Sequence, residues 1–239
     1  MDRMIYTSLA GAKAAMQRQD VMSNNLANST TTGFKAELAA FRSVPIQGSG
    51  ASTRAFSIET TTGYDATPGP IEQTGRNLDV AVKGNSWLAV QSLDGTEAYT
   101  RAGSLQVSPE GLLVTQNGLP VMSDGGPISI PQGTEVQIGS DGTVTGTANQ
   151  KSSPLARIKM VTPDSAMTRG TDGLFRSAQG DLPADPTAQL VDGALEGSNV
   201  SPVSTMVSMI AAARQFEQQM KLLQTAEAQS QSAAKLLGT

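Results

Sequence analysis

The stretch Ser23 to Lys35, SNNLANSTTTGFK, decides how this chain is read. It sets three asparagines, Asn24, Asn25 and Asn28, at the end of a segment whose apolar spacing is helical. Asparagine is a poor helix-interior residue because its amide competes for nearby backbone groups. Two readings fit. Either a helix C-terminus gives way to a turn, or the amides are offered to neighbouring backbones in a packed assembly, where polar pairing fixes register. The β-branched run Thr30 to Thr32 favours leaving the helix, and Gly33 supplies the left-handed residue that ends the segment.

Upstream, Ile5, Leu9, Ala12, Met16, Gln19, Ser23 and Leu26 alternate steps of four and three, a heptad seam that weakens toward its end. The other terminus keeps the same alternation for longer, through Met206, Met209, Ala213, Phe216, Met220, Leu223, Glu227, Ser230, Ala234 and Leu237. Ser201 is an N-cap candidate, Pro202 suits the first helical position, and Gly238 is a C-terminal stop. Matching seams at opposite ends pair most simply with each other, or with copies and relatives from other chains. The methionines serve either as a core stripe or as a surface that adapts to non-identical partners.

Between the seams the pattern changes. From about Leu78 to Val191, short apolar runs alternate with Asp94-Gly95, Asn117-Gly118, Asp124-Gly125, Asp141-Gly142, Asp172-Gly173 and Asp192-Gly193. Such pairs between strand-like runs mark hairpins. Phe41 to Pro70, rich in Ser, Thr, Gly and Pro, reads as an extended linker. The expected fold is α+β, with terminal helices pairing as a coiled coil and an inserted antiparallel all-β domain. Its divisions are the helix and signature at 1–34, the linker at 35–77, the β domain at 78–198 and the C-terminal helix at 199–239.

Composition narrows function. The 239 residues include no cysteine and no histidine, which removes thiolate chemistry, the commonest general base and the commonest transition-metal ligand. The net charge of −4 argues against a nucleic-acid binder, which needs clustered Lys and Arg. The Asp-Gly acids sit where hairpin turns want Asp, and no Asp-x-Asp-x-Asp spacing occurs. Ser232-Ala-Ala-Lys235 matches an acyl-transfer pattern whose companion motifs are missing. These absences count against enzyme activity without excluding it, and no catalytic residue, cofactor, metal or small-molecule substrate is marked out by them. The opening apolar run is interrupted by Ser8, Gly11 and Lys13, unlike a secretory signal, and no stretch has membrane-spanning length. A cytoplasmic chain, or one exported with its N-terminus in place, is expected.

SNNLANSTTTGFK resembles a signature near the N-terminus of the flagellar basal-body rod and hook proteins: Asn-Asn-Leu-Ala-Asn, here Asn24 to Asn28, followed by Thr-x-Gly-Phe, here Thr31 to Phe34. Three further regions agree: LDVAVKGNSWLAVQ, AYTRAGSLQVSPEGLLVTQNGLPV and GALEGSNVSPVSTMVSMIAAARQFEQQMKLLQTAE. MDRMIYTSLAGAKAAMQRQ and ELAAFRSVPI are similar to the proximal-rod members of the family. Ser29-Thr30 departs from a frequent Val-Asn pair, and Trp87-Leu88 from frequent paired aromatics.

The resemblance implies a structural subunit of the flagellar rod in the basal body, exported through the flagellar type III apparatus without a cleaved signal and assembled helically into a periplasm-crossing shaft that transmits torque. Its partners would be other rod subunits and copies of itself. The implied assembly interface is Ile5, Leu9, Ala12, Met16, Asn24, Asn25, Leu26, Asn28, Gly33, Phe34, Met206, Met209, Ala213, Phe216, Met220 and Leu223. A seam without a complete partner implies that 1–34 and 200–239 order only on assembly. A distal-rod or hook component, a β-rich surface adhesin and a carbohydrate enzyme are the competing readings.

Overall fold

Alanine and long unbranched side chains carry the N-terminal segment into α1 (Asp2–Ala27) and the C-terminal segment into α2 (Pro202–Leu237). The structure, a computed structural model, describes residues 2–45, 55–148 and 151–237. α1 stops where Asn28 bonds backward, its Nδ2 donating to the Asn24 carbonyl at 2.9 Å and to Asn24 Oδ1 at 2.8 Å. At the start of α2 the Ser204 N–H donates to Ser201 Oγ at 3.5 Å, the N-cap arrangement.

The helices share a compact unit (1–29, 37–62 and 200–239) with a hairpin, β1 (Glu37–Pro45) paired with β2 (Ala55–Tyr64). These paired strands replace much of the extended linker expected over 35–77. Phe56-Ser-Ile-Glu alternates apolar and polar residues and leads into β-branched Thr60 to Thr62, a strand signal that the surrounding Ser, Gly and Pro content obscures. α1 and α2 meet through their smallest residues: Ser8, Ala12 and Ala15 on one, Ala212 and Ala226 on the other, are all buried. Gly11 leaves room for Gln219, whose amide carbon lies 3.1 Å from where a Cβ would stand. Arg18 Nη1 donates to Gln215 Oε1 at 3.1 Å. Both terminal segments are helical and meet within this unit. Small residues let two helices approach closely without a complete set of large seam side chains.

The second unit comprises residues 30–36 and 63–199, and so takes in residues the sequence assigns to the signature and the linker. Its first strands are β3 (Ile71–Gln73), β4 (Val80–Val82), β5 (Trp87–Gln91), β6 (Glu97–Thr100), β7 (Leu105–Val107), β8 (Leu113–Thr115), β9 (Met122–Ser123) and β10 (Gly126–Pro127). There follow β11 (Glu135–Ile138), β12 (Thr143–Ala148), β13 (Lys151–Arg157), β14 (Met160–Val161), β15 (Thr168–Arg169), β16 (Phe175–Arg176), β17 (Leu190–Asp192) and β18 (Ala194–Glu196). Antiparallel pairing gives a five-stranded sheet, β14-β5-β6-β16-β15, a three-stranded sheet, β11-β12-β13, and the pairs β9-β10, β17-β4, β18-β3 and β7-β8. Five of the six Asp-Gly and Asn-Gly turns close antiparallel pairs. Asp192-Gly193 instead hands the chain from β17, paired with β4, to β18, paired with β3.

β5 is buried on both faces. Leu88 and Val90 enter the main core with Val80, Leu105, Leu113, Ile128, Val144 and Leu190. Trp87 and Ala89 face a second cluster with Tyr99, Val161, Met167 and Phe175. There the rings of Trp87 and Phe175 lie 4.6 Å apart, and Tyr64 meets both edge-on. Leu88 is fully buried, so Leu88→Ala is expected to lower unfolding free energy by about 2–5 kcal/mol. Urea unfolding followed through Trp87, the sole tryptophan, measures the loss.

Candidate assembly surfaces

Signature residues 30–36 belong to the β unit. Gly33 adopts φ +70°, and a Cβ there would stand 2.3 Å from the Arg101 carbonyl carbon. Its left-handed backbone therefore serves close approach rather than ending α1, which stops at Ala27. The Gly33 N–H donates to the Glu196 carbonyl at 2.7 Å. Phe34 is buried beneath the Arg169 guanidinium, 4.5 Å from its ring centroid.

Lys35 completes the insertion. Its Nζ donates to Glu196 Oε1 at 2.7 Å and to the Thr67 carbonyl at 2.8 Å. Glu196 Oε1 also accepts from the Gly69 N–H at 2.9 Å, and Oε2 accepts from Arg101 at 2.9 Å. Arg101 donates onward to the Gly84 carbonyl at 2.6 Å and lies over Trp87 at 5.2 Å. All three charged side chains are at most 2% exposed. Burial pushes the Glu196 carboxyl up, but hydrogen bonds from Lys35 and Arg101, with the Arg101 charge, outweigh it and hold the group below its usual value. Burial pulls Lys35 down, opposed by its hydrogen bond and charge interaction with Glu196. Arg101 and Glu196 are absent from the sequence-derived set. Their signal is slight, a lone charge beside small or apolar residues in YTRAGS and GALEGS.

The asparagines belong to the helical unit. Asn25 Nδ2 donates to the Glu37 carbonyl at 2.9 Å, and the Glu37 N–H donates to Asn25 Oδ1 at 2.8 Å. One side chain thus presents a strand-like donor and acceptor to the first residue of β1. Asn24 Nδ2 reaches Glu37 Oε2 at 3.2 Å. In the described structure these amides engage their own chain: Asn28 follows the turn reading, while Asn25 pairs with backbone as the second reading requires, but within one subunit.

The expected seam is buried in part and exposed in part. Ala12 is buried, and Leu26, Met209, Ala213, Phe216 and Leu223 are partly buried. Leu9 (56%), Met16 (53%), Met206 (45%) and Met220 (38%) are exposed. Ile5 lies in α1, and its side chain is outside the described residues. Val203, Met206, Val207 and Ile210 follow i, i+3, i+4, i+7 spacing and form one exposed apolar stripe. No charged residue occurs from Gly197 through Ala213. In the same unit a groove of about 310 Å³ is lined by Val21, Met22 and Leu38 together with Asn25 and Ser204.

Two of the hairpin acids, Asp94 and Asp141, are occupied by their turns. Thr96 donates its N–H and hydroxyl to Asp94, and Thr143 does the same to Asp141. Among the described residues no group of three or more His, Cys, Asp or Glu could hold a metal ion. No described helix is long and apolar enough to cross a membrane.

Three family profiles match successive parts of the chain: the flagella basal body rod protein over 5–35, the flagellar hook protein FlgE/F/G D1 domain over 81–146 and the flagellar basal body rod FlgEFG protein C-terminal over 191–236. The chain is 44% identical over 249 residues to the flagellar basal-body rod protein FlgF of Escherichia coli, covering 99% of both chains. It is 43% identical to FlgF of Salmonella typhimurium, again over 99% of both, and 36% identical to FlgF of Caulobacter vibrioides, over 100% of this chain and 99% of that one.

Gly33→Ala combines the left-handed penalty with a backbone clash and is expected to cost about 2–5 kcal/mol, measured by urea unfolding. The Glu196 contribution to stability is present above the unfolded carboxylate value and fades as pH falls through the lower folded value. The urea midpoint should drop in that acid range, and drop less in a variant with Lys35, Arg101 and Glu196 all replaced by apolar residues.

Proposed function

Because this chain belongs to the flagellar basal-body rod protein family, in its FlgF branch, we propose that it is the proximal-rod component and builds the shaft through its terminal helices. It is a structural subunit of the flagellar rod in the basal body, not an enzyme. The observation that carries the assembly reading is the stripe of Val203, Met206, Val207 and Ile210, each 45–71% exposed on a charge-free stretch of helix. Burying such side chains against another helix contributes about 1.5–3 kcal/mol each.

In this reading α1 and α2 of one subunit pair as a coiled coil, using the buried alanines. Their outward residues Leu9, Met16, Met206 and Met220 meet helices of adjacent subunits. The remaining members of the sequence-derived interface flank these contacts, with Asn24, Asn25, Asn28, Gly33 and Phe34 holding local structure that positions them. Contacts repeated head to tail without closing generate a helical shaft. The partners are copies of this chain and other rod subunits. Delivery is through the flagellar type III apparatus with the N-terminus retained, and the shaft crosses the periplasm and transmits torque.

Quantitative mass spectrometry of hook–basal bodies, stripped stepwise, tests the placement. A low copy number that stays with the rod supports it; many copies indicate a distal-rod or hook role, and absence overturns the reading. Met206→Asp and Ile210→Asp lie on exposed positions and should change the stability of the isolated chain by no more than about 0.5 kcal/mol, yet abolish swimming when they replace the wild-type chain. Normal swimming with both substitutions would remove this face from the interface.

A further inference from the structure

Among the described residues, Glu196 is the one carboxylate that pairs with both buried cations of the junction, and those cations sit on segments far apart in sequence. Lys35 belongs to the segment entering the β unit from the N-terminal side and Arg101 to the connection after β6, while Glu196 ends β18. Other titratable groups facing the set are Asp65, whose charge acts on Lys35, and Tyr64, on whose hydroxyl the Arg101 charge acts. Backbone bonds brace the same segments against one another. The Gly33 N–H donates to the Glu196 carbonyl, the Ala36 N–H to Asn199 Oδ1 at 2.7 Å, and Asn199 Nδ2 to the Asp65 and Thr67 carbonyls at 3.0 and 2.9 Å. With the Glu196 charge removed, two cations remain buried with no carboxylate between them, an arrangement far less stable than the complete set. Separating either segment from the other breaks both the ionic and the backbone bonds.

We propose that Glu196 is a latch that makes the docking of residues 30–36 and of residues 194–199 into the β unit a single all-or-none event, opened by loss of its charge. The two segments are coupled reciprocally: whatever loosens one loosens the other by the same factor. The coupling belongs to the β unit alone, so it stands apart from the rod reading.

Amide hydrogen exchange of the full chain, read by mass spectrometry at neutral pH, tests this. In Glu196→Gln, peptides spanning 30–36 and 194–199 should both exchange about tenfold faster or more, while a peptide spanning β12 keeps its wild-type protection. Lys35→Met should deprotect 194–199, a segment to which it does not belong. Faster exchange at 194–199 alone in Glu196→Gln would overturn the latch. Should that variant fail to fold, the wild-type chain is titrated into acid with exchange corrected for its intrinsic pH dependence. Both segments then lose protection at one pH before β12 does. Loss at separate pH values, or loss by the whole unit in one step, overturns the proposal.

Discussion

The β unit depends on a carboxylate placed between two cations and sealed from water. Each ion of the Lys35–Glu196–Arg101 set would be costly to bury alone. Together they are stable because every partner arrives with geometry already fixed by backbone. The left-handed Gly33 puts Lys35 on line, Gly84 offers its carbonyl to the far side of Arg101, and the Gly69 amide takes a further lone pair of the carboxylate. The set also explains why the signature continues past the end of α1. Its Gly-Phe-Lys portion is a plug for a β structure, while its asparagines serve the helical unit.

The two units use opposite packing rules. In the β unit large side chains interdigitate on both faces of β5, and the charged junction pairs Lys35 and both terminal nitrogens of Arg101, leaving the buried Arg101 Nε without a hydrogen-bond partner. In the helical unit the smallest residues are inside and several of the largest are outside. Alanine and glycine let the two helices approach closely. Methionine, valine and isoleucine face outward, the side chains through which the proposed assembly would be completed.

The sequence makes the local features legible. The heptad spacing locates both helices, and Asp-Gly and Asn-Gly pairs locate five hairpin turns, because each rests on residues adjacent in the chain. The features it hides depend on distant partners. Glu196 is 161 residues from Lys35, and nothing in GALEGS states which cation it meets. Asn25 reads as an unfavourable helix residue until Glu37 stands opposite it. The hairpin of β1 and β2 is masked by composition, since Ser, Thr and Gly are common to strands and linkers alike. The seam has a helical period but is buried only in part: spacing alone does not say which of its residues turn inward.

The charge-free run from Gly197 to Ala213 has a kinetic meaning. A face without charge of its own adds little long-range pull, so in the proposed assembly encounters through it are expected near the unsteered rate of about 10⁵–10⁶ M⁻¹s⁻¹. They are also nearly indifferent to salt, because there is little for ions to screen. In the proposed assembly, discrimination among similar neighbours would then fall to shape, through how well valine, methionine and isoleucine fit a partner. A mismatched neighbour is not repelled at a distance; it docks and leaves sooner. Selectivity on such a surface resides in the dissociation rate.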